Sequence, residues 1–156
     1  MKTKQMLLGL TLTIMTISSA NAKSTSTDWT AKLKPMTEGC ASVEMYSLSQ
    51  TLKESIVNQK MEHQNNEEIT TYTLENATAF GQPLSKIEQM QSLEWGHMRL
   101  YFKNNQFMSL RSQFKLPVDD YGDVVRNDTM GYQVGEGMLV VSLRFDGEQK
   151  TITCAY

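Results

Sequence analysis

LVVSLRFDGEQKTITC, residues 139–154, reads as two runs of β-forming residues around Asp146-Gly147. Leu139, Val141, Leu143 and Phe145 recur at every second position, the period of a strand with one buried face. Asp-Gly favours a two-residue type I′ turn, whose two central positions both need positive φ. Counting back from such a turn sets Val141 opposite Ile152 and Leu139 opposite Cys154. Cys154 then points into the core, and the only other cysteine, Cys40, must lie there too if the two are bonded.

That bond is expected because of where the chain begins. Lys2 and Lys4 precede an uncharged apolar run over residues 6–17, and Ala20-Asn21-Ala22 matches a small-residue cleavage pattern. These three parts describe a secretory signal peptide over residues 1–22, with an apolar run too short to span a bilayer. The expected location is secreted, or periplasmic in a Gram-negative host, with no stable membrane insertion once the signal is removed. In an oxidising compartment a lone pair of cysteines reads as a structural disulfide, Cys40–Cys154. Closing so long a loop stabilises by ~4–5 kcal/mol in the chain-entropy picture.

The full chain has 156 residues, 40% hydrophobic and 21% charged, with net charge −2. Loss of Lys2 and Lys4 with the signal makes the mature chain net −4. This is ordinary globular composition, and a mildly acidic surface argues against nucleic acid and anionic lipid as partners. A protein partner, more favourably a basic one, fits the charge.

Residues 23–34 are Ser/Thr-rich and read as a flexible leader, with Trp29 its first anchored side chain. A single α+β domain is expected over residues 35–156. Ala41, Met45, Leu48, Leu52 and Ile56 follow at spacings of four and three, so a helix is expected over residues 41–60. Residues 61–68 have no period and read as a loop, placing His63 in solvent. Residues 69–74 read as a strand. Pro83, Leu84, Ile87 and Met90 suit a short second helix.

Met98, Leu100 and Phe102 alternate with His97, Arg99, Tyr101 and Lys103, a half-buried strand. Met108, Leu110 and Phe114 suggest its hairpin partner across a three-residue turn at residues 104–106. The expected fold is an antiparallel sheet of about four to six strands, with two C-terminal hairpins, packed against an N-terminal helix and a short second helix.

Residues 117–137 differ in character, with Asp119, Asp120, Asp123, Asp128 and Glu136 against the single base Arg126. A strand is expected at residues 131–134, and the remainder is the candidate contact surface. Asp119, Asp120, Tyr121, Asp123 and Tyr132, with Arg99 and Tyr101 from the outer strand face, are the candidate partner-binding residues. Tyr is favoured at contact centres, and a rigid scaffold lowers the entropy cost of association.

No nucleophile elbow, H-E-x-x-H or phosphate loop occurs, and no catalytic, metal or cofactor site is expected. The expected function is an exported, non-catalytic envelope binding protein, of inhibitor or immunity type, using its acidic loop. A small secreted hydrolase built on His97 or a carboxylate pair is the alternative. A further alternative is a structural or chaperone-like factor using Arg99, Tyr101 and Phe107.

Overall fold

The computed structural model describes residues 25–115, 123–135 and 140–156. The expected signal segment, residues 117–122 and 136–137 of the acidic stretch, and Leu139 of the last hairpin lie outside the described residues.

The chain enters through β1 (Thr27–Asp28) and α1 (Thr30–Thr37). Trp29, between them, is fully buried and donates its indole N–H to Ser55 Oγ at 3.0 Å. Leu33 and Met36 on α1 are also fully buried. Residues 27–33, expected within a flexible leader, are therefore anchored to the core through Trp29 and Leu33. Burial of the Trp29 and Leu33 side chains, pairing of β1 with β3 and the Trp29 N–H donated to Thr78 O act together to order this polar segment.

The expected helix over residues 41–60 is overturned. Gly39 and Cys40 both have positive φ, and the disulfide holds Cys40 against Cys154 with their Cα atoms 5.2 Å apart. Beyond this turn Val43 and Met45 are buried on an alternating pattern in an irregular segment. Only α2 (Gln50–Glu54) is helical, with the Ser49 hydroxyl accepting from Leu52 N. The stripe of apolar spacings was thus a coincidence of two extended stretches flanking one helical turn.

From Ile56 the chain is almost all strand. β2 (Ile56–Gln64) and β3 (Glu67–Ala79) form a long hairpin that takes in residues 56–60, expected as helix, and 61–68, expected as loop. Asn65 and Asn66, at φ 52° and 65°, supply the two left-handed residues of its turn. Thr70, Tyr72 and Leu74 of β3 face inward; a bulge then switches parity, so that Ala77 and Ala79 continue the same face. The strand expected at residues 69–74 is the middle of β3.

β4 (Gln82–Gln91) replaces the expected second helix. Its three-residue apolar spacing imitates a helix. A bulge between Leu84 and Lys86 brings Leu84 and Ile87 to the inner face, and Met90 is left on the outer one. Pairing on both sides, with β3 and with β5 (Gly96–Phe102), outweighs two turns of marginal helix.

β5 alternates as expected, with Met98, Leu100 and Phe102 buried. Its expected hairpin partner does not form. Residues Asn105–Gln113 make a 3-10 helix, started by the Asn104 side chain accepting from Gln106 N. Phe107 and Leu110, three apart, are on its buried side, and Phe107 stacks on Phe102 at 4.9 Å between ring centres.

Short strands β6 (Val124–Asn127) and β7 (Gly131–Val134) follow, the second where it was expected. β8 (Ser142–Asp146) and β9 (Thr151–Ala155) form the last hairpin. Its turn spans four residues, with Asp146 Oδ1 accepting from Glu148 N and Gln149 N at 3.0 Å and Lys150 at φ 57°. Cys154 therefore faces Leu143, and Ile152 faces Phe145. The pairing expected from a two-residue turn is displaced, but odd still meets even, so Cys154 points inward as expected.

The result is α+β with more strands than anticipated: among the described residues, one nine-stranded mixed sheet in the order β1-β3-β4-β5-β9-β8-β7-β6, with β2 also on β3. All three described helices lie on its inner face. Trp29, Leu33, Met36, Phe107 and Leu110 share one buried cluster with Ile87, Leu100, Ile152 and Phe145.

Candidate functional site

The helices cover the inner face over β5, β8 and β9, but not where β2, β3 and β4 extend past them. There the segment at residues 42–48 stands beside the sheet and leaves an open hollow of about 870 Å³. Its floor follows from strand register, since Met61, Thr70 and Gln89 lie in one row, and Gln59 and Tyr72 in the next. A second hollow of about 690 Å³ shares Glu68 and Gln91 with the first and runs to the β2–β3 turn. Together they form one trough along β2.

The trough wall is pinned at several points. The disulfide fixes Cys40, Gln89 Nε2 donates to Val43 O at 3.5 Å, and Lys32 Nζ donates to Ser47 O at 3.1 Å. On this held segment Tyr46 is 82% exposed. Val57 and Met61, on the opposite lip, are also more than half exposed. The Glu44 carboxylate beside its phenol raises the Tyr46 pKa, and burial followed by the Glu68 charge raises that of Tyr72. Floor amides Gln59, Gln89 and Gln91 add further donors and acceptors beside Met45, Leu48 and Ile56. Apolar contacts interleaved with amide groups can hold an extended polypeptide, whose backbone and side chains make the same two demands.

The outer face of the same strands is different. Glu88 of β4 accepts at Oε1 from Arg99 at 3.0 Å, with His97 Nε2 also at 3.0 Å, and at Oε2 from the Tyr101 hydroxyl at 2.9 Å. Arg99 Nε donates onward to Thr153 Oγ1 at 3.0 Å, and Lys86 lies over the Tyr101 ring. The His97 hydrogen bond above all, then Tyr101 and the Arg99 charge, outweigh burial and hold the Glu88 pKa at about 2. Such a carboxylate has no proton to give at neutral pH and is a feeble base. It serves as the common acceptor of a cross-strand lattice.

Of the expected partner-binding residues, the four that are described, Asp123, Tyr132, Arg99 and Tyr101, do not share one surface. Asp119, Asp120 and Tyr121 lie outside the described residues. Asp123 is exposed just before β6, and its carbonyl accepts from Gly135 N at 3.1 Å. Tyr132 packs edge-on against Phe145 on the inner side, with Arg111 over its ring. Arg99 and Tyr101 belong to the outer lattice, where their polar atoms are already engaged. Phe107 is core, so it cannot join Arg99 and Tyr101 in an apolar outer patch. Cys40 and Cys154 are paired as expected. His63 is exposed, 3.8 Å from Glu68.

The trough was missed because residues 41–60 were assigned to a single helix. Its legible signals were the Val43/Met45 alternation and the Asn65-Asn66 turn. Among the described residues, no group of three His, Cys, Asp or Glu side chains is placed to hold a metal ion, and no helix is long and apolar enough to cross a membrane. Compared with known proteins, no family model, no curated sequence and no solved structure matches this chain.

Proposed function

We propose that this is an exported, non-catalytic binding protein of inhibitor or immunity type, and that its trough takes an extended segment of a protein partner. The observation that carries the reading is the pinned wall. Residues 42–48 are held over the sheet by a disulfide and two side-chain-to-carbonyl hydrogen bonds, yet present an almost fully exposed Tyr46. Ordering a segment in advance and leaving its aromatic uncovered lowers the entropy cost of binding and supplies a contact centre. Glu44 and Glu68 outnumber Lys53 on the lining, and with the net negative mature chain they favour a basic segment. The signal pattern at residues 1–22 and the disulfide support export.

The test isolates the partner from an envelope extract and titrates it, purified, against the wild type, Tyr46→Ala, Val57→Lys and a deletion of residues 119–128. Trough substitutions should weaken binding roughly tenfold or more, as expected for a contact centre. Full affinity in both trough variants, with loss on deleting the acidic segment, would return the site to that segment and overturn the trough.

A further inference from the structure

Among the described residues, β2 forms an edge of the sheet. β2 is nine residues long, all but Ile56 exposed, and among the described residues it pairs with β3 alone. Its other side presents unpaired backbone N–H and C=O groups, a template for another strand.

We propose that β2 pairs antiparallel with β2 of a second copy of this chain, with Met61 of both chains on the two-fold axis. Charge selects both the occupant and the register. Lys60 and Glu62 point to the same face, two residues apart, and form an ion pair at 2.6 Å. With Met61 on the axis, Lys60 lies directly opposite Glu62 of the partner subunit, and Glu62 opposite Lys60 of the partner subunit. Moving the axis to position 60 places Lys60 against Lys60 of the partner subunit. Moving it to position 62 opposes the two glutamates. Like charges directly opposite one another destabilise a strand pair, whereas opposite charges add roughly 0.2–1 kcal/mol per pair. Only the Met61-centred arrangement joins both charges favourably, and it is self-complementary as a two-fold interface requires.

On the other face, Met61 meets Met61 of the partner subunit, and Gln59 meets His63 of the partner subunit. These side chains border the trough, so pairing continues its floor into the second copy. The inference stands on the edge and its charges, whatever the trough binds.

Sedimentation equilibrium of the full mature protein tests it, with wild type, Lys60→Glu, Glu62→Lys and the double exchange compared. The wild type should be a reversible dimer, and each single variant should raise the dissociation constant roughly tenfold or more. The double exchange should restore it. The two single variants mixed should form a heterodimer, because each supplies the charges the other lacks. That result also shows that both are folded. A monomeric wild type overturns the proposal, including one whose β2 amides are protected from hydrogen exchange, since that edge is then covered by the chain's own residues. A wild-type dimer insensitive to the single changes, or a mixture that fails to pair, overturns it equally.

Discussion

Leu100 and Arg99 are neighbours on one strand and live in opposite chemistries. Leu100 points to the inner face, fully buried between Ile87 and Ile152 in the sheet. Arg99 points outward to Glu88, Tyr101 and Thr153, with about a third of its side chain exposed. The inner face holds together by area removed from water, which needs helices to cover it. The outer face is left uncovered by the described helices, and its long polar side chains shield one another through shared hydrogen bonds. A sheet can therefore keep one face open without exposing an apolar surface, and the trough is an inner region where the cover of the described helices stops short.

Truncation across the two faces should separate these mechanisms. Leu100→Ala removes buried area and leaves a cavity, so chemical denaturation should show a loss of about 2–5 kcal/mol. Glu88→Gln strips the charge from a lattice screened by solvent, and should cost roughly 1–2 kcal/mol at neutral pH. Equal losses at the two positions would break the comparison.

The outer lattice also has a pH signature. The folded pKa of Glu88, about 2, is below its ordinary value of 4.5, so the folded state favours the ionised form. Its stabilisation is complete above about pH 4.5, declines as pH falls toward 2, and is lost below. Denaturation curves of wild type and Glu88→Gln should accordingly converge through that window. A constant gap would assign the stabilisation to packing instead of charge. The smallest effect is expected in the trough, where Tyr46→Ala should change stability by no more than about 0.5 kcal/mol, because an exposed ring contributes little to folding. A larger loss in thermal or chemical melts would make Tyr46 part of the scaffold.

Where sequence reading succeeded, one local cause sufficed. Met98, Leu100 and Phe102 alternate in a central strand with one buried face, and the strand is found there. Gly131–Val134 is also where it was expected. Where it failed, the local pattern had two solutions. Leu84, Ile87 and Met90 suit a helix, but also a strand with one bulge and a side chain on each face. Met108, Leu110 and Phe114 alternate like a strand, but Phe107 and Leu110 also suit a 3-10 turn beneath Phe102. In both cases distant partners chose, through hydrogen bonds and ring stacking that no window of neighbouring residues contains.

By itself the sequence determined the inward side of Cys154, the β5 strand and the mixed α+β character, because side-chain period and cysteine count act locally or at a single pair of points. The tertiary structure alone decided that Ile56–Gln64 is an edge strand and not the end of a helix, and that a pinned segment stands over the floor beside it. Those outcomes depend on which strands find each other across the sheet, and pairing energy between remote residues leaves no periodic mark on either of them.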